Sequence, residues 1–163
     1  MPENKIKFSV DRRVIEQGGF YFGDDEDDIY TLLGSCVAVT LWHPTLKLAG
    51  MCHILLPERG QDKSSTRFAD CAVKKFLEMI HSNKTKPHQY EVGVYGGGNM
   101  FPLINKSNKE LLGTRNVNKM ESLLILEGFR VKYKDAGGEV ARKLILNRHT
   151  GSITLEHVKI ERM

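Results

Sequence analysis

Residues 33–57 constrain the fold of this chain more than any other segment, because they contain two apolar arms joined by a short turn. Both arms are rich in valine, leucine and isoleucine, and Pro44 lies in the turn between them. This pattern predicts a β-hairpin. A hairpin at this place in the chain favours a fold built on antiparallel strand pairs.

The register of the predicted hairpin decides which side chains meet. A four-residue loop over residues 43–46 pairs residues whose numbers sum to 89, which places Cys36 directly opposite His53. Directly opposed side chains share one face of the sheet, with Cβ atoms about 5 Å apart. We therefore expect the imidazole to lie within hydrogen-bond reach of the thiol. A β-bulge would shift the register and move His53 to the other face.

A cysteine and a histidine in contact can act as a nucleophile and its general base. A cysteine attacks as the thiolate, and it needs a base or a positive environment to form that species. Cys36 follows Gly34 and Ser35, and we expect backbone N–H groups there to bind an oxyanion. Apolar strands also bury cysteines as ordinary core residues, so the spacing alone leaves both interpretations open.

Thr31 is a candidate for a third member of this group, because a hydroxyl can orient an imidazole. A bend, for example at Gly34, is needed to bring Thr31 to His53. Tyr30 is the nearby alternative with a hydroxyl.

The other two cysteines are predicted to be core residues. Cys52 precedes His53 in the same arm and points to the opposite face, and Cys71 lies on the apolar stripe of a predicted helix. The ligands of a metal site would therefore face different ways, and we expect no metal site.

Gly96, Gly97 and Gly98 follow a predicted strand and precede Asn99. They match neither a Walker loop nor a dinucleotide fingerprint. Two interpretations remain open. The glycines form a tight turn at the end of the strand, or their backbone approaches a substrate closely.

The remaining periodicity predicts an α+β fold, with mixed or antiparallel sheets and helices packed outside. The predicted strands are residues 6–10, 90–95, 129–133 and a closing hairpin of 140–147 with 152–160; the predicted helices are 67–81, capped by Ser65 or Thr66, and 116–127, ending at Gly128. The acidic run at residues 24–28 is interpreted as a solvated loop, with a contact surface for a basic partner as the alternative.

Length and composition favour one soluble domain spanning residues 1–163. The net charge is +4 and the lysines and arginines are scattered, so nucleic-acid binding is not indicated. No apolar run approaches the roughly 20 residues of a membrane span, and the amino terminus lacks a signal-peptide core. Three cysteines without disulfide spacing indicate a cytoplasmic protein with reduced thiols.

Several short motifs follow one another along the chain. The first contains Thr31, Gly34, Ser35 and Cys36, and it is followed by His53 seventeen positions after the cysteine. The later blocks are residues 53–57, 96–101, 113–116, 135–138, 141–142 and 150–151. Together, and in this order, these motifs resemble the CheD family of chemoreceptor glutamine deamidases.

The resemblance implies that Cys36 is the nucleophile, His53 the general base and Thr31 the orienting residue. In some members the threonine lies one position further from the cysteine, where this chain has Tyr30. The implied fold is similar to that of cytotoxic necrotizing factor deamidases, with layered β-sheets and flanking helices. The implied reaction converts glutamine side chains on the cytoplasmic helices of methyl-accepting chemotaxis receptors to glutamate, and it needs no cofactor.

Two rival functions remain open at this point. One is another thiol hydrolase, such as a peptidase, which would use the same Cys–His pair. The other is a regulatory binding module that acts on a chemotaxis phosphatase of the CheC type. The resemblance implies such a phosphatase as a partner in either case.

Overall fold

A computed structural model of the chain describes residues 12–58, 65–102 and 111–159. The strands are β1 (Arg12–Val14), β2 (Phe20–Gly23), β3 (Asp28–Leu33), β4 (Val37–Trp42), β5 (Ala49–Ile54), β6 (Glu91–Gly96), β7 (Val131–Ala136), β8 (Val140–Leu146) and β9 (Ile153–Lys159). The helices are α1 (Ala69–Ser82) and α2 (Leu112–Leu126), with a short 3₁₀ turn at Pro87–Gln89. The predicted strand at residues 6–10 lies outside the described residues.

The strands form two mixed sheets. One has four strands in the order β9-β8-β3-β1, and the other has five in the order β2-β5-β4-β6-β7. Most neighbours are antiparallel, but β1 pairs with β3 and β6 pairs with β7 in parallel. The α+β fold with layered sheets and outer helices is confirmed.

Strand β4 shows how the layers stack, because all six of its residues are buried. Val37, Val39 and Leu41 join a core with both helices, whereas Ala38 and Trp42 join a core with the four-stranded sheet. The five-stranded sheet therefore lies in the middle and is covered on both faces. A strand in that position is almost continuously apolar, and Thr40 is the one polar residue of β4.

The central hairpin is confirmed, but its predicted register is wrong by two residues. Ala38, not Cys36, lies directly opposite His53. The loop is longer than expected because Lys47 takes a left-handed conformation with φ of 58° and donates its N–H to the His43 carbonyl at 2.8 Å. A shift of two residues keeps every side chain on its face, so Cys36 and His53 still face the same layer.

The first arm of the predicted hairpin is two strands, not one. The chain leaves the four-stranded sheet after Leu33, bends through residues 34–36, and enters the five-stranded sheet at Val37. The bend expected at Gly34 is thus a change of sheet. As a result, Thr31 and His53 lie in different sheets and face each other.

The helices differ from prediction mainly at their amino-terminal ends. Helix α1 begins at Ala69 without a side-chain cap, since Thr66 donates its hydroxyl hydrogen bond to the Gly18 carbonyl instead. Helix α2 begins at Leu112, one turn earlier than predicted, and it ends at Leu126, with Gly128 in a left-handed conformation (φ of 92°) just beyond its end. Within the described residues, neither helix is long and apolar enough to cross a membrane.

The acidic run mostly forms the loop between β2 and β3, as predicted. Asp25 pairs with Arg13 at 2.7 Å, and Asp28 begins β3. The run is therefore solvated over most of its length, although one of its carboxylates forms an ion pair and its last residue belongs to a strand.

Candidate active site

A hydrogen bond between the two sheets joins Thr31 to His53. The distance from Thr31 Oγ1 to His53 Nδ1 is 2.7 Å, and both side chains are almost fully buried. The same hydroxyl also donates to the Ile15 carbonyl. Thr31, and not Tyr30, therefore makes the contact expected of an orienting hydroxyl.

This chain of contacts assigns the protons of His53. The Ile15 carbonyl oxygen has no proton to donate. The single hydroxyl proton of Thr31 must therefore lie between Thr31 Oγ1 and the Ile15 carbonyl oxygen. The Thr31 oxygen then accepts from Nδ1–H of His53. The other ring nitrogen, Nε2, carries a lone pair and can act as a base.

Cys36 lies at the edge of the same layer. It belongs to the core between the two sheets and is 8% exposed. In the observed register it is the diagonal neighbour of His53, and such neighbours lie about 7–8 Å apart at Cα. Nε2 of His53 has no hydrogen-bond partner among the described residues, so the predicted thiol–imidazole hydrogen bond is not formed here.

Burial determines the charge state of both groups. Burial lowers the pKa of His53 to about 4. Burial also raises the pKa of the Cys36 thiol. Because both shifts disfavour the charged forms, the site at neutral pH holds a neutral thiol and a neutral imidazole.

Neighbouring glycines hold the backbone around Cys36. Gly97 N–H donates to the Cys36 carbonyl at 2.8 Å, and Gly98 N–H donates to the Gly34 carbonyl at 2.9 Å. No hydrogen bond joins the N–H of Ser35 or Cys36 to any described residue. The carbonyls of the bend are thus fixed, while these two N–H groups have no acceptor in the described residues.

The glycine run at 96–98 forms a tight turn, and its backbone also comes very close to another group. It turns at a strand end, with φ of 113° at Gly96 and 68° at Gly97. Its backbone does approach another group closely, but that group is the bend: a Cβ on Gly96 would lie 2.3 Å from the Cys36 carbonyl oxygen. Contact of these glycines with a substrate stays a prediction.

An ion pair between a buried arginine and a partly exposed aspartate supports this glycine run. Arg142 is 3% exposed and donates to Asp135 at 2.8 Å and to the Gly137 carbonyl at 2.8 Å. Gly137 N–H in turn donates to the Gly96 carbonyl. Charged side chains in β7 and β8 thereby stabilise the glycine turn. The glycine turn is itself hydrogen-bonded to the Cys36 segment.

The other cysteines stand apart from this arrangement. Cys52 is fully buried on the helix side of the five-stranded sheet, as predicted, and burial raises its pKa to about 12. Cys71 is only half-buried in α1, so its assignment to the core was too strong. Within the described ranges, no cluster of His, Cys, Asp and Glu side chains could hold a metal ion.

Sequence reasoning missed two contributors. The Ile15 carbonyl fixes the Thr31 proton, but a backbone carbonyl has no sequence signature. Asn116 is fully buried and donates its side-chain amide to the Leu55 carbonyl at 3.0 Å. Asn116 belongs to block 113–116, one of the motifs that resemble the CheD family, and this was the signal that could have identified it.

Two clefts open beside the site. One of about 510 Å³ has His53 in its wall, with Val14, Tyr30 and Leu32 around it. A narrower cleft of about 190 Å³ opens at Ser35, between residues 98–101 and 111–113. The candidate residues therefore lie between two openings to solvent.

Known proteins are similar to this sequence over most of its length. A family model described as CheD chemotactic sensory transduction matches residues 55–157. A protein of Dechloromonas aromatica named probable chemoreceptor glutamine deamidase CheD 3 is 35% identical over 145 residues, covering 86% of this chain and 84% of that protein. A protein of Pseudomonas syringae pv. tomato named probable chemoreceptor glutamine deamidase CheD is 34% identical, covering 91% and 90%.

Among solved structures, hypothetical protein YfiH of Bacillus licheniformis matches with a TM-score of 0.49 and 10% identity, covering 87% of this chain and 61% of that one. The family model matches more than half of the chain, and the relatives match it almost from end to end. This chain belongs to the CheD family.

Proposed function

We propose that this protein is a protein-glutamine deamidase that converts glutamine side chains of chemoreceptors to glutamate. The names of its relatives support the reaction and the substrate. The observation that carries the proposal is the buried Ile15–Thr31–His53 chain, because it leaves Nε2 of His53 as an acceptor in the layer that contains Cys36. In this proposal Cys36 is the nucleophile, His53 the general base and Thr31 the orienting residue.

The first half of the reaction forms a thioester. The Cys36 thiol gives its proton to Nε2 of His53, and the sulfur attacks the carboxamide carbon of the glutamine. The N–H groups of Ser35 and Cys36 stabilise the oxyanion that forms on the carboxamide oxygen. His53 then protonates the nitrogen, the C–N bond breaks, and ammonia leaves.

The second half consumes water. His53 accepts a proton from water as the water oxygen attacks the thioester carbon. The C–S bond breaks, and the sulfur takes the proton back from His53. The balance is one glutamine and one water converted to one glutamate and one ammonia, with both catalytic groups restored.

The resting protonation state fits this sequence of steps. A neutral thiol beside a neutral imidazole contains the same number of protons as a thiolate beside an imidazolium. The reactive pair therefore forms by internal proton transfer and needs no exchange with solvent. Their hydrogen bond is absent in this structure, so a movement of one of the two side chains must bring the thiol and Nε2 together before the proton is transferred.

The shape of the surface supports a helical substrate. The cleft at His53 is broad, and its rim carries Val14 and Leu32, which are 56% and 53% exposed. We propose that apolar side chains next to the target glutamine on a receptor helix contact this rim.

The proposal is tested by incubating the protein with a receptor cytoplasmic fragment and measuring ammonia release and the mass of each glutamine peptide. We expect glutamine to glutamate conversion without chain cleavage. Cys36→Ala should be inactive, whereas Cys71→Ser should keep full activity as a matched cysteine control. Full activity of Cys36→Ala, or cleavage of the fragment, would contradict the proposal.

A partner phosphatase of the CheC type stays a prediction, and the same assay addresses it. Adding such a phosphatase should change the deamidation rate if it binds this protein. A Cys36→Ala variant that still supports normal signalling would instead favour the regulatory binding module.

A further inference from the structure

Asn116 joins the two segments that carry the proposed nucleophile and base. It lies in the second turn of α2 and is fully buried. Its Nδ2 donates to the Leu55 carbonyl at 3.0 Å and makes a longer contact of 3.4 Å with the Ser35 carbonyl. Ser35 precedes Cys36, and Leu55 lies two residues after His53.

This contact is made where the hairpin ladder ends. The last paired residues of β4 and β5 are Val37 and Ile54. The next positions in that register are Cys36 and Leu55, which no longer pair. Strand ends beyond the last pair have no ladder bonds to hold them together, so a buried amide that bonds both segments replaces the missing link.

Helix α2 can act as a rigid support for this amide. Gly113 lies against the glycine run so closely that a Cβ there would be 2.4 Å from the Gly97 carbonyl oxygen. Val117, one residue after Asn116, belongs to the helix-side core. The packing of helix α2 therefore sets the position of Asn116 independently of its contact with the bend.

We propose that Asn116 is a positioning residue that sets the distance between the Cys36 bend and the His53 strand. The proposal rests on the proposed function for the roles of Cys36 and His53. Without the amide, the bend is still hydrogen-bonded to the glycine run but no longer joined to β5. The distance between the two segments can then increase, and proton transfer from the thiol to Nε2 is lost. Within the described residues, the Asn116 side chain makes its hydrogen bonds to the Leu55 and Ser35 carbonyls and none to the thiol or the imidazole.

The test measures the pH dependence of Cys36 alkylation by iodoacetamide, which requires no receptor. The thiolate formed by proton transfer to His53 is present in a fraction that does not change with pH between the two pKa values, whereas the ordinary thiolate rises tenfold per pH unit. The wild-type alkylation rate should therefore level off to a plateau on the acid side of this range. Asn116→Leu removes the amide at similar size. We expect its alkylation rate to rise about tenfold per pH unit, as for an isolated thiol.

The matched control is Thr85→Val, which loses two buried hydrogen bonds, to the Ile80 carbonyl and the Tyr90 hydroxyl, at the far end of α1. It should keep the plateau although it loses stability. In the deamidation assay, Asn116→Leu should lower kcat about tenfold or more while KM changes less than about twofold. If Asn116→Leu does not fold, Asn116→Asp, which keeps the shape and loses the NH₂ group, decides by the same measurements.

A plateau and a normal kcat in a folded Asn116 variant would overturn the proposal. A wild-type profile without a plateau would contradict the Cys36–His53 pair and, with it, the role of Asn116. A wild-type plateau without deamidation of the receptor fragment would contradict the proposed function alone, and the variant profiles would still decide on Asn116.

Discussion

At the scale of single residues, the hydroxyl of Thr31 has only one arrangement that satisfies both of its neighbours. It donates to the Ile15 carbonyl and accepts from His53. Valine has the same shape as threonine and no hydroxyl. Replacement by valine would leave the Nδ1–H of a buried imidazole without an acceptor, and the ring could then rotate or change its tautomer.

Thr31→Val should lower the deamidation rate about 10- to 100-fold, less than the loss of a whole general base. Thr31→Ser keeps the hydroxyl and should retain most of the activity, and Tyr30→Phe should be close to wild type. Ammonia release measured for all three variants checks this. Loss of activity in Tyr30→Phe with full activity in Thr31→Val would assign the orienting role to Tyr30.

The lowered pKa of His53 predicts how stability depends on pH. Its pKa is about 4 in the folded protein and about 6.5 in the unfolded chain. The unfolded state therefore binds more protons between these values, and stability falls as the pH drops through this window. Above pH 6.5 the contribution is fully present.

Denaturant unfolding at pH 7.0, 6.0 and 5.0 measures this loss. We expect His53→Asn to show a shallower decline in unfolding free energy than the wild type over this range, because asparagine does not titrate. His157→Asn, a substitution of a half-exposed histidine, is the control variant. Equal slopes in wild type and His53→Asn would show that His53 titrates normally.

Much of the candidate site could be predicted from the sequence, because side chains with chemical character are visible there. Type and spacing made Cys36, His53 and Thr31 candidates, and the resemblance to the CheD family implied their roles. The proton on His53 could not be assigned, since it depends on the backbone carbonyl of Ile15. The direct Cys36–His53 contact was also wrong, because a single left-handed residue, Lys47, shifts the register.

At the scale of secondary-structure elements, amino-terminal ends were predicted less well than element types. The apolar periodicity that predicted α2 begins at Val117, so the start of the helix was placed at residue 116, and Gly113 and Thr114 before it are weak helix formers. The helix nevertheless begins at Leu112, because Gly113 lets its first turn lie against Gly97. Tertiary contact thus overrides local propensity at this end.

Two glycines allow a matched test of that contact. A Cβ on Gly97 would lie 2.5 Å from Val117 and 2.7 Å from the Gly113 carbonyl oxygen, whereas a Cβ on Gly137 would meet nothing within 4 Å. Both have positive φ, of 68° and 82°. Gly137→Ala should therefore lose only the backbone term of about 1–2 kcal/mol, and Gly97→Ala should lose clearly more.

The unfolding free energies of the two variants check this difference. Gly97→Ala should also reduce deamidation, because Gly97 N–H holds the Cys36 carbonyl. Equal unfolding free energies of the two variants would show that α2 moves to accommodate the added methyl group without loss of stability.

At the scale of the whole molecule, the stacking of the two sheets is secured at the end remote from His53 by Arg148. This side chain is 2% exposed and donates to the Gly23 carbonyl at 2.7 Å and to the Tyr21 hydroxyl at 3.1 Å. Its own carbonyl accepts from the Trp42 indole. The turn after β8 is thereby attached to the five-stranded sheet.

Arg148→Met should lower the free energy of unfolding by about 1–3 kcal/mol, because it leaves buried acceptors unpaired. Arg13 lies over the same Tyr21 ring but is largely exposed and pairs with Asp25. Arg13→Met should cost less than about 1 kcal/mol. A loss for Arg13→Met as large as that for Arg148→Met would contradict this account of sheet stacking.

The change of sheet at residues 34–36 has a consequence for newly made copies of the protein. The hydroxyl, the thiol and the imidazole come from two layers, so no local hairpin contains all three. In the proposed mechanism, a chain with formed strands and unstacked sheets has a thiol without its base. We therefore expect an incompletely folded copy to leave the glutamines of other proteins unmodified.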